Sequence, residues 1–593
     1  MTSFAAIFDC RKTSVPGDTL APLARVLAES VPCREEPSVI RSGGFAAALA
    51  GSAEKPALES GQRLCLGASG LNPRRLGEQV GCSSEASVGD LLFAGLERFG
   101  ARWWSQVEGT FGLVLLDAGS KTLYLARDPL GERTLYFSEV RGVIRIADRL
   151  ETLLAWHRQR PSLDRVQLAR FFGLEAPEAG KTFFGGIREV SPGSVVELSS
   201  AGLRERRFWT PCPDRVNAAV SDADCAERFR SLLRAQTASL LDRPRSVGIM
   251  LSGGIDSTSI AAVAARQSGS GPSALAACSW TFDELASCDE RPWIRQTLAE
   301  HDLQVIQVNG DACWPLVDLD LFSTLPGTPE ENPYRGLKSA LYSAAAEQGR
   351  CVLLNGGAAD IFYRGAGLYF RDLLRAGRWR LAARCLAEQF FGTGWRPAAG
   401  AAARALRPTG MRRSRRPAPF WLAPDAREFW RESQRRAREP ERGPRDVIPY
   451  LAVESRGLEI ENAYAGACGV RVASPYWTRG WIDFMLSLPA HQIFRPGTTK
   501  FVAREAMRGL IPESIRRRQT PTLLDPLFDR GVFERERGVV EDLLQGGHPI
   551  WQEFVDPAFV AGVGPQSSPA HKVVLWHCVS FELWRRKHGW EVA

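Results

Sequence analysis

Two rhythms of apolar and polar positions divide this chain. Over roughly its first 150 residues, short apolar runs are broken by turn residues. Residues 111–117 (FGLVLLD) form an apolar run of strand length, and 122–126 (TLYLA) follow after the turn-forming AGSK, the pattern of a hairpin. Residues 134–137 (TLYF) and 143–147 (VIRIA) give the next pair. Many strands with few helices predict a sheet-rich, layered α+β unit. From about residue 216 helical stretches alternate with short apolar strands at 247–251 (VGIML), 274–280 (ALAACSW), 305–308 (VIQV) and 352–354 (VLL). That alternation predicts a parallel, doubly wound sheet with helices on both faces, a fold that binds ligands at the carboxyl ends of its strands. Beyond about residue 365 the pattern is mainly helical with proline interruptions, and no internal repeat is present. The expected division is 1–157, a Pro- and Gly-rich connector over 158–215, and 216–593, the last with an Arg-rich helical insertion near 371–447.

Composition narrows the class. A chain of 593 residues, 44% hydrophobic and 24% charged, suits a globular protein of two to four domains. No apolar run is long enough to span a bilayer, and the N-terminus (MTSFAAIFDCRKTS) lacks the basic start and apolar stretch of a signal peptide. A cytoplasmic protein without a membrane partner is expected. The 13 Cys include no CxxC pair and the 7 His form no HExxH, which argues against a disulfide framework and a thiolate zinc site. The net charge of +8 is mild for this length. Arginines crowd into 371–445, as in RRSRR at 412–416 and RRAR at 435–438. This reads as a solvated face, with an anionic partner as the alternative and no nucleic acid expected.

The chemistry concentrates in three segments. At 252–257 (SGGIDS) a strand ending at Leu251 turns directly into an Ala- and Ile-rich helix. Gly253 and Gly254 let the backbone approach a ligand, Ser252 and Ser257 offer hydroxyls, and the helix N-terminus offers free N–H groups and a positive dipole end. Together they form a phosphate cradle. Asp256 would repel phosphate unless Mg²⁺ lies between them. The hexamer resembles the pyrophosphatase loop of the N-type ATP pyrophosphatases, which cleave ATP between the α and β phosphates; the Gly-Lys-Ser/Thr of a Walker loop is absent.

The second segment, 353–362 (LLNGGAADIF), is similar to the Gly-rich loop of asparagine synthetases and β-lactam synthetase. The resemblance implies a metal-binding role for Asp360 and a backbone contact at Gly356, so that Asp256 and Asp360 together hold Mg²⁺. The chain departs from the family at Ala358 and Ala359, at Ile361 where asparagine synthetases carry Glu, and at Gly357 where β-lactam synthetase carries its catalytic Tyr. The third segment, 497–506 (GTTKFVAREA) followed by 510–513 (LIPE), resembles the family's Lys-x-x-x-Arg-x-Ala…Pro helix. The resemblance makes Lys500 the group that stabilises charge on the α-phosphate and the acyl intermediate. An isolated Lys in a chain that otherwise uses Arg fits a need for a compact point charge. Upstream, 461–464 (ENAY) and 474–477 (SPYW) resemble the stretch before the family's Pro-Phe-x-Asp, with Thr478 replacing that Asp.

The N-terminal half carries 107–111 (VEGTF) and 126–131 (ARDPLG), which look like the glutamine amidotransferase domain of asparagine synthetases. That domain attacks glutamine with an N-terminal Cys. Here residue 2 is Thr, followed by Ser3, and the nearest Cys is Cys10, so the domain is expected to lack glutaminase activity. The resemblance as a whole implies an amidotransferase-like (Ntn-type) sandwich, then an α/β pyrophosphatase-loop (HUP-like) domain with a helical C-terminal part. It implies an AMP-forming ligase using ATP and Mg²⁺. The lasso-peptide cyclases fit best, with a precursor peptide as substrate and a leader peptidase and leader-recognition protein as partners. An ammonia-dependent asparagine synthetase, a β-lactam synthetase and a non-catalytic peptide-binding scaffold are the alternatives.

Overall fold

The computed structural model describes residues 3–9, 37–42, 44–50, 63–67, 70–82, 86–157, 160–211, 220–241, 246–268, 275–363, 417–436, 448–495 and 498–592, with a few single residues and pairs elsewhere. The Arg-rich runs at 412–416 and 437–438, together with Thr2 and Cys10, lie outside the described residues. One antiparallel sheet contains β1 (Ser3–Phe8), β2 (Ser38–Ser42), β3 (Phe45–Ala50), β9 (Tyr136–Val140), β10 (Val143–Ala147) and β11 (Ile187–Glu189), in the order β11-β9-β10-β1-β3-β2. A second contains β4 (Arg63–Leu66), β7 (Gly112–Asp117), β8 (Thr122–Arg127), β12 (Ser194–Ser199) and β13 (Gly202–Arg207), in the order β13-β12-β8-β7-β4. A two-residue ladder of β5 (Gly70–Leu71) and β6 (Gly109–Thr110) stands beside them.

Period-two alternation explains the layering. Phe4, Ala6 and Phe8 of β1 enter the core between the sheets with Val114, Leu116, Leu123 and Leu125. The intervening Ala5 and Ile7 belong to a second core on the outer face, shared with Leu153, Phe171, Trp576 and Trp584. Leu113 and Leu115 of β7 likewise face Leu91, Leu92 and Trp104 on the other outer side. Strands covered on both faces read as continuous apolar runs. The β7–β8 hairpin forms as its sequence predicts: Asp117 pairs with Thr122, the Asp117 carboxylate accepts from the Gly119 and Ser120 amides, and Lys121 takes the left-handed conformation that closes the turn.

One expectation about this unit changes. Residues 187–207, read as connector from their prolines and glycines, supply β11, β12 and β13 to the two sheets. Val196 and Leu198 point between the sheets and Val195 to the outer core, an alternation that outweighs the neighbouring turn residues. The helix Pro569–His588 packs, as expected, on the second unit's helices Arg537–Gln545 and Leu321–Ser323, and it also enters the sandwich's outer core beside the helix Arg165–Phe172.

The second unit is a parallel sheet of β14 (Val247–Met250), β15 (Leu275–Thr281), β16 (Gln304–Asn309), β17 (Val352–Leu354) and β18 (Arg471–Ala473), in the order β16-β15-β14-β17-β18. The chain winds outward from β14 in one direction and then resumes at β17 on its other side. The loops leaving β14 and β17 therefore diverge at a topological switch point, where such sheets open a crevice. On the described part of the Arg-rich region, the exposed Arg431 and Arg435 both pair with Glu428, which fits a solvated face. Among the described residues no helix is long and apolar enough to cross a membrane.

At the start of β1 the Asp148 carboxylate accepts from the Ser3 hydroxyl (2.7 Å) and the Phe4 amide (3.1 Å). Burial pushes this carboxyl up to about 6, against the opposing pull of those two donors. A raised native pKa means the folded state binds the proton more tightly, so the contribution is present at low pH and lost as pH rises through about 6. Asp148→Asn removes the titration while keeping an acceptor. Urea unfolding at pH 5 and pH 7.5 should show the wild type losing about 1.4 kcal/mol relative to the variant over that interval.

Candidate active site

The loop after β14 is tied together by its own hydroxyls. The Ser252 amide donates to Ser257 Oγ (3.1 Å), the two hydroxyl oxygens lie 2.8 Å apart, and the Gly254 amide donates to Ser252 Oγ (3.3 Å). Ser252 and Ser257, read from sequence as phosphate donors, thus first cross-link the turn. Leu251 is 3% exposed and anchors the loop in the core below. Gly254 caps the helix Ile255–Gln267, whose first-turn amides have no acceptor within the helix. Gly253 is required by contact: a Cβ there would lie 2.5 Å from Arg518 Nη1 and 2.7 Å from Trp293.

Arg518 is a residue the sequence did not single out. It donates to the Gly253 carbonyl (2.9 Å), pairs with Glu290 (3.1 Å) and lies over the Trp293 ring (4.7 Å). This holds the Gly253 carbonyl outward. In a chain so rich in Arg, one of three consecutive arginines at 516–518 carried no distinguishing signal.

The loop after β17 abuts the first. A Cβ on Gly356 would lie 3.2 Å from both Asp256 Cβ and the Ser257 amide nitrogen, so any side chain there would press the loops apart by a few tenths of an ångström. Asn355 continues the ladder by donating its amide to the Ala473 carbonyl (3.0 Å), and Ser474 Oγ donates to the Gly357 carbonyl (2.6 Å). Ala358 sits at φ 68°, in the left-handed region, and Asp360 opens a single turn of 3-10 helix, Asp360–Tyr363.

Lys500 joins the two loops. Its Nζ lies 2.5 Å from Asp256 Oδ2 and 2.5 Å from Asp360 Oδ1. The residue is at φ 57°, immediately before the helix Phe501–Ala506. A non-glycine residue there costs about 1–2 kcal/mol, strain of the kind that collects at functional sites. The Tyr363 ring lies 5.2 Å from the ammonium, and Tyr476 Oη donates to the Asp256 carbonyl (2.9 Å). Arg504 fixes the approach of Lys500 by donating to the Thr499 carbonyl (2.6 Å) and the Arg518 carbonyl (2.8 Å). Burial lifts the Asp256 carboxyl above the ordinary carboxylate range, the Lys500 ammonium opposing it and the Asp360 carboxylate reinforcing it. Burial works against charge on Lys500, but Asp256 and Asp360 outweigh it and hold the ammonium above its ordinary value.

Two carboxylates converging on one cation from adjacent loops offer the all-oxygen donor set a hard divalent ion takes. Among the described residues no group of three or more His, Cys, Asp or Glu could hold a metal, so Mg²⁺ here would rely on Asp256 and Asp360 with phosphate oxygens completing its shell. Thr478, in the place of the family's Asp, caps the helix Arg479–Ser487 by accepting from the Trp481 amide (3.2 Å).

Comparison with known proteins agrees with this layout. The family model for asparagine synthase matches residues 228–586, which span the parallel sheet and the helices after it. A glutamine amidotransferase domain model matches residues 75–209 in the sandwich. An amidase, chyE, of Penicillium rubens is 27% identical over 301 residues, covering 48% of this chain and 44% of that one. Asparagine synthetase [glutamine-hydrolyzing] 3 of Bacillus subtilis is 28% identical, covering 27% of this chain and 26% of its own. A carboxyethyl-arginine beta-lactam-synthase of Streptomyces clavuligerus is 28% identical, covering 30% of this chain and 33% of its own. The chain thus spans less than half the length of each of these relatives.

The two carboxylates differ in surroundings: the Asp256 side chain is 14% exposed and that of Asp360 77%. Asp256→Ala strips a buried partner from Lys500 and should cost about 3 kcal/mol in urea unfolding. Asp360→Ala should cost less than about 1 kcal/mol, because water already screens that pair. Equal losses would show that the ammonium does not discriminate between them.

Proposed function

The chain belongs to the asparagine synthase family, and from that premise we propose that it is an ATP-dependent, AMP-forming amide synthetase acting at the crevice between β14 and β17. The observation that carries this reading is the meeting of Asp256, Asp360 and Lys500 at the switch point, beside the open amides of a helix N-terminus. A substrate carboxylate attacks the α-phosphate of ATP, the new bond joins carboxylate oxygen to phosphorus, and the bond to the β-phosphate oxygen breaks. The loop 252–257 receives the pyrophosphate on its backbone amides. Asp256 and Asp360 would hold Mg²⁺, whose positive charge would then offset the negative charge on the phosphate oxygens. An amine then attacks the acyl adenylate, loses a proton, and AMP leaves. Lys500 stabilises the negative charge that develops.

For the amine, we propose the N-terminus of the substrate itself, as in a lasso-peptide cyclase joining that amine to an Asp or Glu side chain. Two features support an amine already on the substrate. Position 2 is Thr where the amidotransferase reaction uses Cys, and the Ser3 hydroxyl is bonded to Asp148. Gly357, at the place of the β-lactam synthetase Tyr, speaks against that closely related ring closure. A folded peptide would hold its amine at high effective concentration over the adenylate, ahead of water and ammonia. On this reading a precursor peptide, a leader peptidase and a leader-recognition protein are its partners, in the cytoplasm where ATP is at hand.

Asp360→Ala should lower pyrophosphate release at least about 100-fold with the fold retained, since charge neutralisation supplies much of the rate. Wild-type turnover in that variant would defeat the metal assignment. A leader-free precursor peptide supplied with ATP and Mg²⁺ should lose one water and yield AMP, with no glutamate formed from added glutamine. Replacing its acceptor Asp or Glu by Asn or Gln should block both products in mass spectrometry. A linear peptide alongside asparagine made from aspartate and ammonium would put the ammonia-dependent synthetase in its place.

A further inference from the structure

The Lys500 ammonium stands where the proposed reaction calls for a divalent ion. Its Nζ lies 2.5 Å from Asp256 Oδ2 and 2.5 Å from Asp360 Oδ1, so one positive charge engages both carboxylates. Among the neighbouring groups, Arg504 also attracts Asp256 through its charge, while its N–H groups donate to the carbonyls of Thr499, Arg516 and Arg518. Tyr476 Oη donates to the Asp256 carbonyl and leaves the carboxylate to Lys500. The turn that carries Lys500 is fixed from several sides. The Thr499 amide and hydroxyl both donate to Gln519 Oε1 (3.2 Å each), and Arg504 holds the Thr499 carbonyl. Any movement of the ammonium is therefore left to the flexible four-carbon stem of the side chain.

The same three groups must serve differently when nucleotide binds. The carboxylates would then hold Mg²⁺, and the ammonium would face the charge developing on phosphate. Mg²⁺ takes carboxylate oxygens at about 2.1 Å, closer than the ammonium stands, so the two cations cannot share one pair of oxygens. Charge excludes it as well: cations a few ångström apart repel, whichever carboxylate oxygens the metal takes. We propose that Lys500 is a placeholder for the metal, joining the two loops in its absence and competing with it for Asp256 and Asp360. When the ion binds, Lys500 gives up both carboxylates, and its charge becomes free to act on phosphate. The proposal rests on the metal reading of the two carboxylates and adds the competition to it. The Asp360 side chain is 77% exposed and that of Asp256 14%, so Asp360 is the open side by which an ion enters. The Tyr363 ring, 5.2 Å from Nζ, offers the displaced ammonium an aromatic face.

MgCl₂ titrated calorimetrically into the full chain, without nucleotide and at fixed ionic strength, tests the competition. Lys500→Met removes the charge, keeps a long stem, and should bind Mg²⁺ at least about tenfold tighter than wild type. Lys500→Arg keeps the charge and should stay close to wild type. In EDTA, Lys500→Met should melt below wild type, because Asp256 loses its partner, and added Mg²⁺ should raise its melting temperature more than that of wild type. Equal Mg²⁺ affinity in wild type and Lys500→Met overturns the placeholder and leaves the metal assignment standing. No Mg²⁺ binding by folded Lys500→Met overturns both. A measurement on the unaltered protein decides the matter if that variant does not fold. The chain has eight lysines, so ¹³C-lysine labelling gives a sparse set of Cε signals, and that of Lys500 is the one missing from Lys500→Arg. MgCl₂ should shift this signal in wild type and leave it in place in Asp360→Asn. A Lys500 signal that does not move at saturating MgCl₂ overturns the proposal.

Discussion

Two carboxylates that would otherwise repel each other are held together by the ammonium of Lys500, and the geometry around the crevice serves that contact. Strand order brings the carboxylates close, because β14 and β17 are neighbours although about a hundred residues separate them. Gly356 lets the loops touch, the left-handed turn at Lys500 aims the side chain inward, and Arg504 binds that turn to the segment ending at Arg518. Arg518 in turn grips the Gly253 carbonyl, so the nucleotide loop and the Lys500 segment are braced as one piece. Strain at Lys500 persists because several independent contacts surround it.

The sequence was most legible where the physics is local. Paired glycines, a following helix and an acidic residue define 252–257 without any distant partner. Alternating apolar residues in 111–126 likewise set a hairpin by themselves. Long-range dependence hid the rest. β18 is three residues whose strand character comes from pairing with β17, and Arg518 matters only because folding carries it across to Gly253. Residues 187–207 were misread because their Pro and Gly positions punctuate strands that lie in the sheets. Asp360 and Lys500 were found by resemblance, and the ammonium between the two carboxylates was not foreseen.

The seam between the two units is unusually polar for a buried surface. Arg127, wholly buried, donates to the carbonyls of Gly131 (2.9 Å) and Val190 (3.1 Å) and pairs with Glu189. The Tyr136 hydroxyl bonds Glu459 on the far side of the seam. Asp128, in the amidotransferase-like motif 126–131, accepts from the amides of Leu130, Glu132 and Arg133 and so shapes the loop that meets the second unit. Buried charges of this kind add little net stability, because desolvation offsets their attraction. Of these groups Glu459 is the one bonded across the seam, to Tyr136, and it lies 3.9 Å from Arg127, so sliding the units would strand its carboxylate.

The position of the helix Pro569–His588 sets an order of events during synthesis. β1 is made long before that helix, yet the outer face of its sheet shares a core with Trp576 and Trp584, made some 560 residues later. At ordinary elongation rates of about 5–20 residues per second, that face waits roughly half a minute to two minutes for its cover. During that interval the face around Ala5, Ile7, Ala46 and Ala48 has only the partial cover of Leu153, Leu154 and Phe171, which share its core and are made about 150 residues after it. The small size of the alanines keeps the patch shallow, a poor template for chance association while the rest of the protein is still being made.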